Sequence, residues 1–172
     1  CPAGTFGKTL GLKDKSCSGY CDKGYYCEEG STSRQNAPCP AGRYGGVNGL
    51  QNSSCSGPCK EGFYCEVASV SATHLACGGY NYYCATGSKL PTLVSEGHYS
   101  IGGNSKYART SEKVCEEGFY CRYGEKISCP AGSYGATKGL SVDYSNETQQ
   151  YYTMSDIGVR AASPTVSPPA NM

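Results

Sequence analysis

Cys1-Pro-Ala-Gly-Thr-Phe-Gly7, then Gly11-Leu12, Cys17-Ser-Gly-Tyr-Cys21 and Asp22-Lys-Gly-Tyr-Tyr-Cys27, is the stretch whose reading decides the fold, because the chain writes it twice. Laid over each other without a gap, residues 1–38 and 39–76 share 18 identities. Every cysteine of the first copy recurs in the second: Cys1 as Cys39, Cys17 as Cys55, Cys21 as Cys59 and Cys27 as Cys65. A fixed period of this kind is the signature of a repeat architecture.

Working outward, the two halves of the unit recur separately. The short second half returns as Cys77 to Cys84 and as Cys115-Glu-Glu-Gly-Phe-Tyr-Cys121. The first half returns as Cys129-Pro-Ala-Gly-Ser-Tyr-Gly135 with Gly139-Leu140, but Ser145 stands where its second cysteine belongs. The chain therefore divides into repeat 1 (1–38), repeat 2 (39–76), a variant repeat (77–128) with a cysteine-poor insert (85–114), a partial repeat (129–144) and a tail (145–172).

Composition explains why cysteines carry the pattern. Leu, Ile, Val and Phe number only 21 of 172 residues, against 13 Cys, 24 Gly and 16 Tyr. So small an aliphatic share cannot hold a core unaided. Disulfides must supply the order, which places the chain in an oxidising, extracellular setting. It opens on Cys1 without a Met and reads as the mature or trimmed part of a secreted precursor.

Two disulfide frames fit the spacing. If each half is a self-contained loop, the pairs are Cys1 with Cys17, Cys21 with Cys27, Cys39 with Cys55, Cys59 with Cys65, Cys77 with Cys84 and Cys115 with Cys121, leaving Cys129 unpaired or intermolecular. The rival frame joins Cys17 to Cys21, Cys27 to Cys39, Cys55 to Cys59, Cys65 to Cys77, Cys84 to Cys115 and Cys121 to Cys129. Independent reuse of the halves favours the first.

Glycines interrupt every helical period, so the expected fold is small disulfide-rich repeats, short β-hairpins and loops stacked into an elongated rod with almost no helix. Within the insert, alternation around His98, Tyr99 and Ile101 predicts a strand, with a second near Lys106 to Arg109 after the Gly102-Gly103 turn. The tail has little to bury. It is expected to run extended along a neighbouring subunit or an adjacent repeat, with Tyr151, Tyr152, Met154, Ile157 and Val159 as assembly contacts.

The same residues argue against catalysis and cofactors. The close cysteine spacings are C-x3-C and C-x5-C instead of zinc knuckles, and His74 and His98 stand apart. No phosphate loop, zincin helix or nucleophile elbow occurs. Glu28-Glu29 and Glu116-Glu117 read as solvated turns. A net charge of +1 offers no stripe for nucleic acid, and no apolar run is long enough to span a membrane. Asn52-Ser-Ser and Asn146-Glu-Thr are glycosylation acceptors, so covalent glycans are expected partners. The paired rings before cysteines (Tyr25-Tyr26, Phe63-Tyr64, Tyr82-Tyr83, Phe119-Tyr120) would cover disulfides on one side and meet neighbours on the other.

The C-P-A-G-x-[FY]-G … C-x3-C-x2-G-[FY]-Y-C unit resembles the ephrin-receptor-like cysteine-rich repeat, akin in style to tumour-necrosis-factor-receptor and epidermal-growth-factor modules. With its G-H-Y-S-I-G-G insert, the pattern resembles large secreted repeat proteins of algae, diatoms and oomycetes. The resemblance covers residues 1–140. It implies a non-enzymatic, self-assembling structural protein of a glycosylated surface filament or coat, of the flagellar-hair or glycocalyx-fibre type; the alternative is the stalk or ligand-binding ectodomain of a receptor or adhesion protein.

Overall fold

The structure, a computed structural model, describes residues 1–131, 133–141 and 159–161. The chain forms two compact units, Cys1–Val94 with Ser100–Glu112, and Ser95–Tyr99 with Lys113–Met172. Among the described residues there is no helix, and the strands form eight two-stranded sheets. Most strands have only two residues, as in Thr5–Phe6 against Gly19–Tyr20 and Arg43–Tyr44 against Gly57–Pro58.

Six of the modules are organised by an opening turn whose third residue is a glycine. Thr5, Tyr25, Arg43, Phe63, His98 and Phe119 donate their N–H groups to carbonyls three residues back, at 3.1–3.2 Å. The residue before each donor is a glycine with φ between 70° and 89°. That is the third position of a type II turn, which a side chain would strain. A second turn follows the short half: Ser31, Ser69 and Ser88 each bond three residues back through N–H, and through Oγ at 2.7–2.8 Å, onto Glu28, Glu66 and Ala85. The left-handed residue of this second turn is Gly30, Ala68 or Gly87.

The described residues form eight successive modules, opening at Cys1, Cys21, Cys39, Cys59, Cys77, Val94, Cys115 and Cys129, and three kinds of backbone rung join them. In the first, the opening residue of a module donates to the turn residue of the module before it, at 2.8–3.1 Å: Cys21 to Gly4, Cys39 to Gly24, Cys59 to Gly42, Cys77 to Gly62, Val94 to Asn81, Cys115 to Gly97 and Cys129 to Gly118. In the second, a left-handed residue donates to the carbonyl opening the preceding module: Gly30 to Cys1, Gly49 to Cys21, Ala68 to Cys39, Gly87 to Cys59 and Gly139 to Cys115. In the third, the seventh residue of a module donates forward, as Cys27 does to Leu50, Cys65 to Ser88 and Cys121 to Leu140. A backbone whose polar groups are met this regularly needs little from its side chains.

The rungs reveal a module that cysteine spacing conceals. Val94-Ser-Glu-Gly-His-Tyr-Ser100 has the turn, the glycine and the opening rung of Cys21-Asp-Lys-Gly-Tyr-Tyr-Cys27, with Val94 and Ser100 in place of the two cysteines. The cysteine-poor insert thus contains a repeat that has lost its bridge. Its strand His98–Ile101 stands where the alternation places it, but the second strand is Ser111–Val114, downstream of Lys106 to Arg109. Ala108 N–H bonds to Ser105 and Thr110 N–H to Ile101, so those intervening residues are spent on a wider turn. The variant Val94→Cys with Ser100→Cys is expected to form a seventh disulfide, read as a loss of two hydrogens in intact mass and a stabilisation of roughly 2 kcal/mol.

The core is largely the disulfides. Of the ten buried apolar residues among those described, nine are cysteines and the tenth, Phe6, packs on Cys21 and Cys27. The rings preceding the cysteines are all half-buried.

Module eight is closed by the tail. Val159–Ala161 pairs antiparallel with Ser133–Gly135, in the register Ser133 to Ala161 and Tyr134 to Arg160. Thr5 to Tyr20 and Phe6 to Gly19 is the corresponding pairing in module one. A strand 25 residues downstream of Tyr134, beginning at Val159, therefore takes the place that the cysteine-anchored return strand holds in the first module.

Candidate functional site

The structure joins Cys1 to Cys17, Cys21 to Cys27, Cys39 to Cys55, Cys59 to Cys65, Cys77 to Cys84 and Cys115 to Cys121, with Cα separations of 5.7–6.1 Å. These are the pairs of the half-unit frame. Cys129 is a half-exposed free thiol at the opening of module eight, and its repeat partner position, Ser145, lies outside the described residues.

Asn52 is exposed and fixed. Its Oδ1 accepts from the Ser54 N–H at 3.0 Å, and its carbonyl accepts from the Cys55 N–H at 3.0 Å. Asp14 holds the corresponding turn in module one, accepting from Ser16 through both N–H and Oγ, which lowers its carboxyl pKa. The local fold thus needs a short oxygen-bearing side chain here, and the Asn52 amide oxygen meets that need. Asn146, Tyr151, Tyr152, Met154 and Ile157 lie outside the described residues, and Val159 opens the strand that closes module eight.

The densest charge cluster centres on Glu116. Lys113 Nζ reaches Oε1 and Lys126 Nζ reaches Oε2, each at 2.6 Å, and the Tyr99 hydroxyl donates to Oε1 at 3.1 Å. The same Lys126 ammonium lies 4.6 Å from the Phe119 ring centre and 4.9 Å from that of Tyr99. Hydrogen bonds from Lys113, then Lys126, hold the Glu116 carboxyl down to about 2. A carboxylate so saturated is a poor base and a good tie, binding the hairpin Phe119–Arg122 and Glu125–Ser128 to the turn before it. Sequence reading placed Glu116 in a solvated turn and missed this tie. The available signals were two lysines, Lys113 three residues before Glu116 and Lys126 ten residues after it.

The sign of its pH dependence follows from the lowered value. The ties are complete above the ordinary carboxyl value of 4.5 and are lost as pH falls toward 2. Carbon-13 NMR of the Glu116 carboxyl should report a midpoint near 2, and Lys126→Met should move that midpoint upward. An unchanged midpoint in the variant would remove Lys126 from the cluster.

At the opposite end of the repeat series, module one leaves its Gly-Leu loop uncovered. Leu10 is fully exposed and Leu12 is 40% exposed. They border an open groove of about 450 Å³, together with Cys1, Gly7, Gly30 and Ser31. Elsewhere the described residues contain no group of three or more His, Cys, Asp or Glu that could hold a metal ion, and no helix long and apolar enough to cross a membrane.

No family model matches the chain, and no curated protein matches it.

Proposed function

We propose that this chain is a non-enzymatic, extracellular structural repeat protein, a self-assembling subunit of a glycosylated surface filament or coat. One observation carries the reading: the same backbone rungs join module after module whatever side chains each module bears. A stacking rule written in the backbone can extend without limit, which suits a fibre. Its cost is a demand for cross-links, and six disulfides in a chain of 172 residues meet it where the surroundings are oxidising.

The exposed, turn-locked Asn52 suits a glycan that keeps such a surface hydrated. The chain secreted from eukaryotic cells should lose the mass of one N-glycan on Asn52→Gln, and an unchanged mass would remove glycosylation at that position from the reading. Light scattering on the oxidised chain should give particles that grow with concentration. A strictly monomeric mass at every concentration would point instead to a receptor or adhesion stalk.

A further inference from the structure

The wide turn from Gly102 to Thr110 carries two cations that the fold does not neutralise. Between Glu66 and Glu112 the chain has one acidic residue, Glu96, against Lys89, Lys106 and Arg109. Glu96 belongs to the second compact unit, where its Oε1 accepts from the Ser141 hydroxyl at 2.7 Å. Glu61 is exposed beside Gly62, which abuts the Ala108 carbonyl. Among the described residues no ion pair involves Glu61, Lys106 or Arg109.

Both cations lie over tyrosine rings instead. The Arg109 guanidinium carbon is 4.9 Å from the centre of the Tyr80 ring, and the Lys106 ammonium is 5.0 Å from that of Tyr107. The Arg109 side chain donates one hydrogen bond, from Nη1 to the Gly102 carbonyl at 3.2 Å, and its Nε is buried without a partner. A guanidinium has more donors than these contacts use. Lys106 is exposed, and so is Tyr107, to 53%.

Stacking of the repeat does not require this chemistry. The Arg109 carbonyl accepts the third kind of rung, from Cys84 N–H, and the same place is held by Leu50 for Cys27, Ser88 for Cys65 and Leu140 for Cys121. An aliphatic or hydroxyl side chain serves there as well as a cation, because the rung uses backbone alone. What the rungs supply is rigidity. The Tyr107 and Arg109 carbonyls accept from Gly78 and Cys84 at 3.1 and 2.9 Å, on a loop that carries Tyr80 and is closed by the Cys77–Cys84 disulfide. Gly102 and Gly103 are left-handed, at φ 75° and 71°, and a Cβ on either would strike Thr110 or Ala108. A surface held in this way loses little freedom when it binds.

We infer that this turn binds an anionic polysaccharide, a sugar chain bearing carboxylate or sulfate groups. Arg109 and Lys106 meet the anions, Tyr107 offers its exposed ring to the apolar face of a sugar, and Tyr80 holds the guanidinium in place. Arginine suits the forked oxygens that carboxylate and sulfate share. Tyrosine adds a flat apolar body with a polar tip, which a bare polyanion would not need. The ligand goes beyond the structural reading above and does not depend on self-assembly.

The test uses the oxidised 172-residue chain, with dextran sulfate and polygalacturonate as probes and uncharged dextran as the blank. Calorimetry in about 0.05 M NaCl should show both charged polymers binding and dextran not, with affinity falling steeply in about 0.5 M NaCl. Lys106→Ala with Arg109→Ala should weaken binding about tenfold or more, with all six disulfides intact by mass. Lys13→Ala with Lys15→Ala removes the same charge from exposed lysines that flank Asp14, and should bind as the parent does. Tyr107→Leu should weaken binding of both charged sugars while leaving that of inorganic polyphosphate unchanged. Failure of the charged sugars to bind at low salt, or equal losses in the two double variants, overturns the site. Loss of sugar and polyphosphate binding alike in Tyr107→Leu, or of neither, overturns the assignment to a sugar. Each of these results leaves the filament reading to the light-scattering measurement above.

Discussion

Full reduction of the six disulfides is expected to unfold the chain in the absence of any denaturant. The two longer loops, with 16 residues of separation, each contribute about 3 kcal/mol by restricting the unfolded chain, and the four short ones about 2 kcal/mol each. Their sum of roughly 14 kcal/mol is as large as the whole stability of an ordinary domain, about 5 to 15 kcal/mol. No aliphatic core stands behind them, since Phe6 is the one buried apolar residue described that is not a cysteine. Amide proton dispersion in NMR should collapse when a phosphine reductant is added at neutral pH and return on reoxidation. Dispersion that persisted after complete reduction, confirmed by alkylation and mass, would mean that the backbone rungs suffice alone. The Glu116 ties and the ring contacts of Lys126 should not delay the collapse, because exposed ion pairs add little.

How much of this was legible in the sequence depended on what each feature leaves behind in residue identity. The repeat, its halves and the cysteine pairs follow from letters that cannot be exchanged without loss, a cysteine for a bridge and a glycine for a left-handed turn. Module six shows the limit. Once Val94 and Ser100 replaced the cysteines, only Gly97 and Tyr99 remained as its signature, while the turn and the rungs survived in a backbone that many residues can adopt. Rungs are invisible to sequence for that reason. The closure of module eight by Val159–Ala161 was half legible: a cysteine-free tail had to find an edge, but nothing in Val159, Arg160 and Ala161 says that the edge belongs to Ser133–Gly135. The Glu116 cluster was only partly readable, because Lys113 lies three residues away but Tyr99 and Lys126 reach it from segments further off in the chain.

The glycines offer the sharpest test of the stacking itself, because two with nearly the same φ differ in what lies beside them. Gly62 has φ 81° and Gly30 has φ 80°. A Cβ on Gly62 would stand 2.6 Å from the Ala108 carbonyl oxygen, whereas one on Gly30 would meet nothing within 4 Å. Both lie in the first compact unit. Gly30→Ala should therefore cost only the left-handed conformation, about 1 kcal/mol. The chain performs that substitution on its own, since Ala68 holds the place of Gly30 one repeat later with φ 62°. Gly62→Ala adds overlap with the Ala108 carbonyl, which is held on either side where the Tyr107 carbonyl accepts from Gly78 N–H and the Arg109 carbonyl accepts from Cys84 N–H. Overpacking of this kind costs about 1 to 3 kcal/mol, so the total should reach about 2 to 4 kcal/mol. Denaturant unfolding of both variants with disulfides intact measures the difference. If Gly62→Ala proved no more costly than Gly30→Ala, the close approach between modules would carry no weight, and the disulfides alone would set the spacing of the repeat.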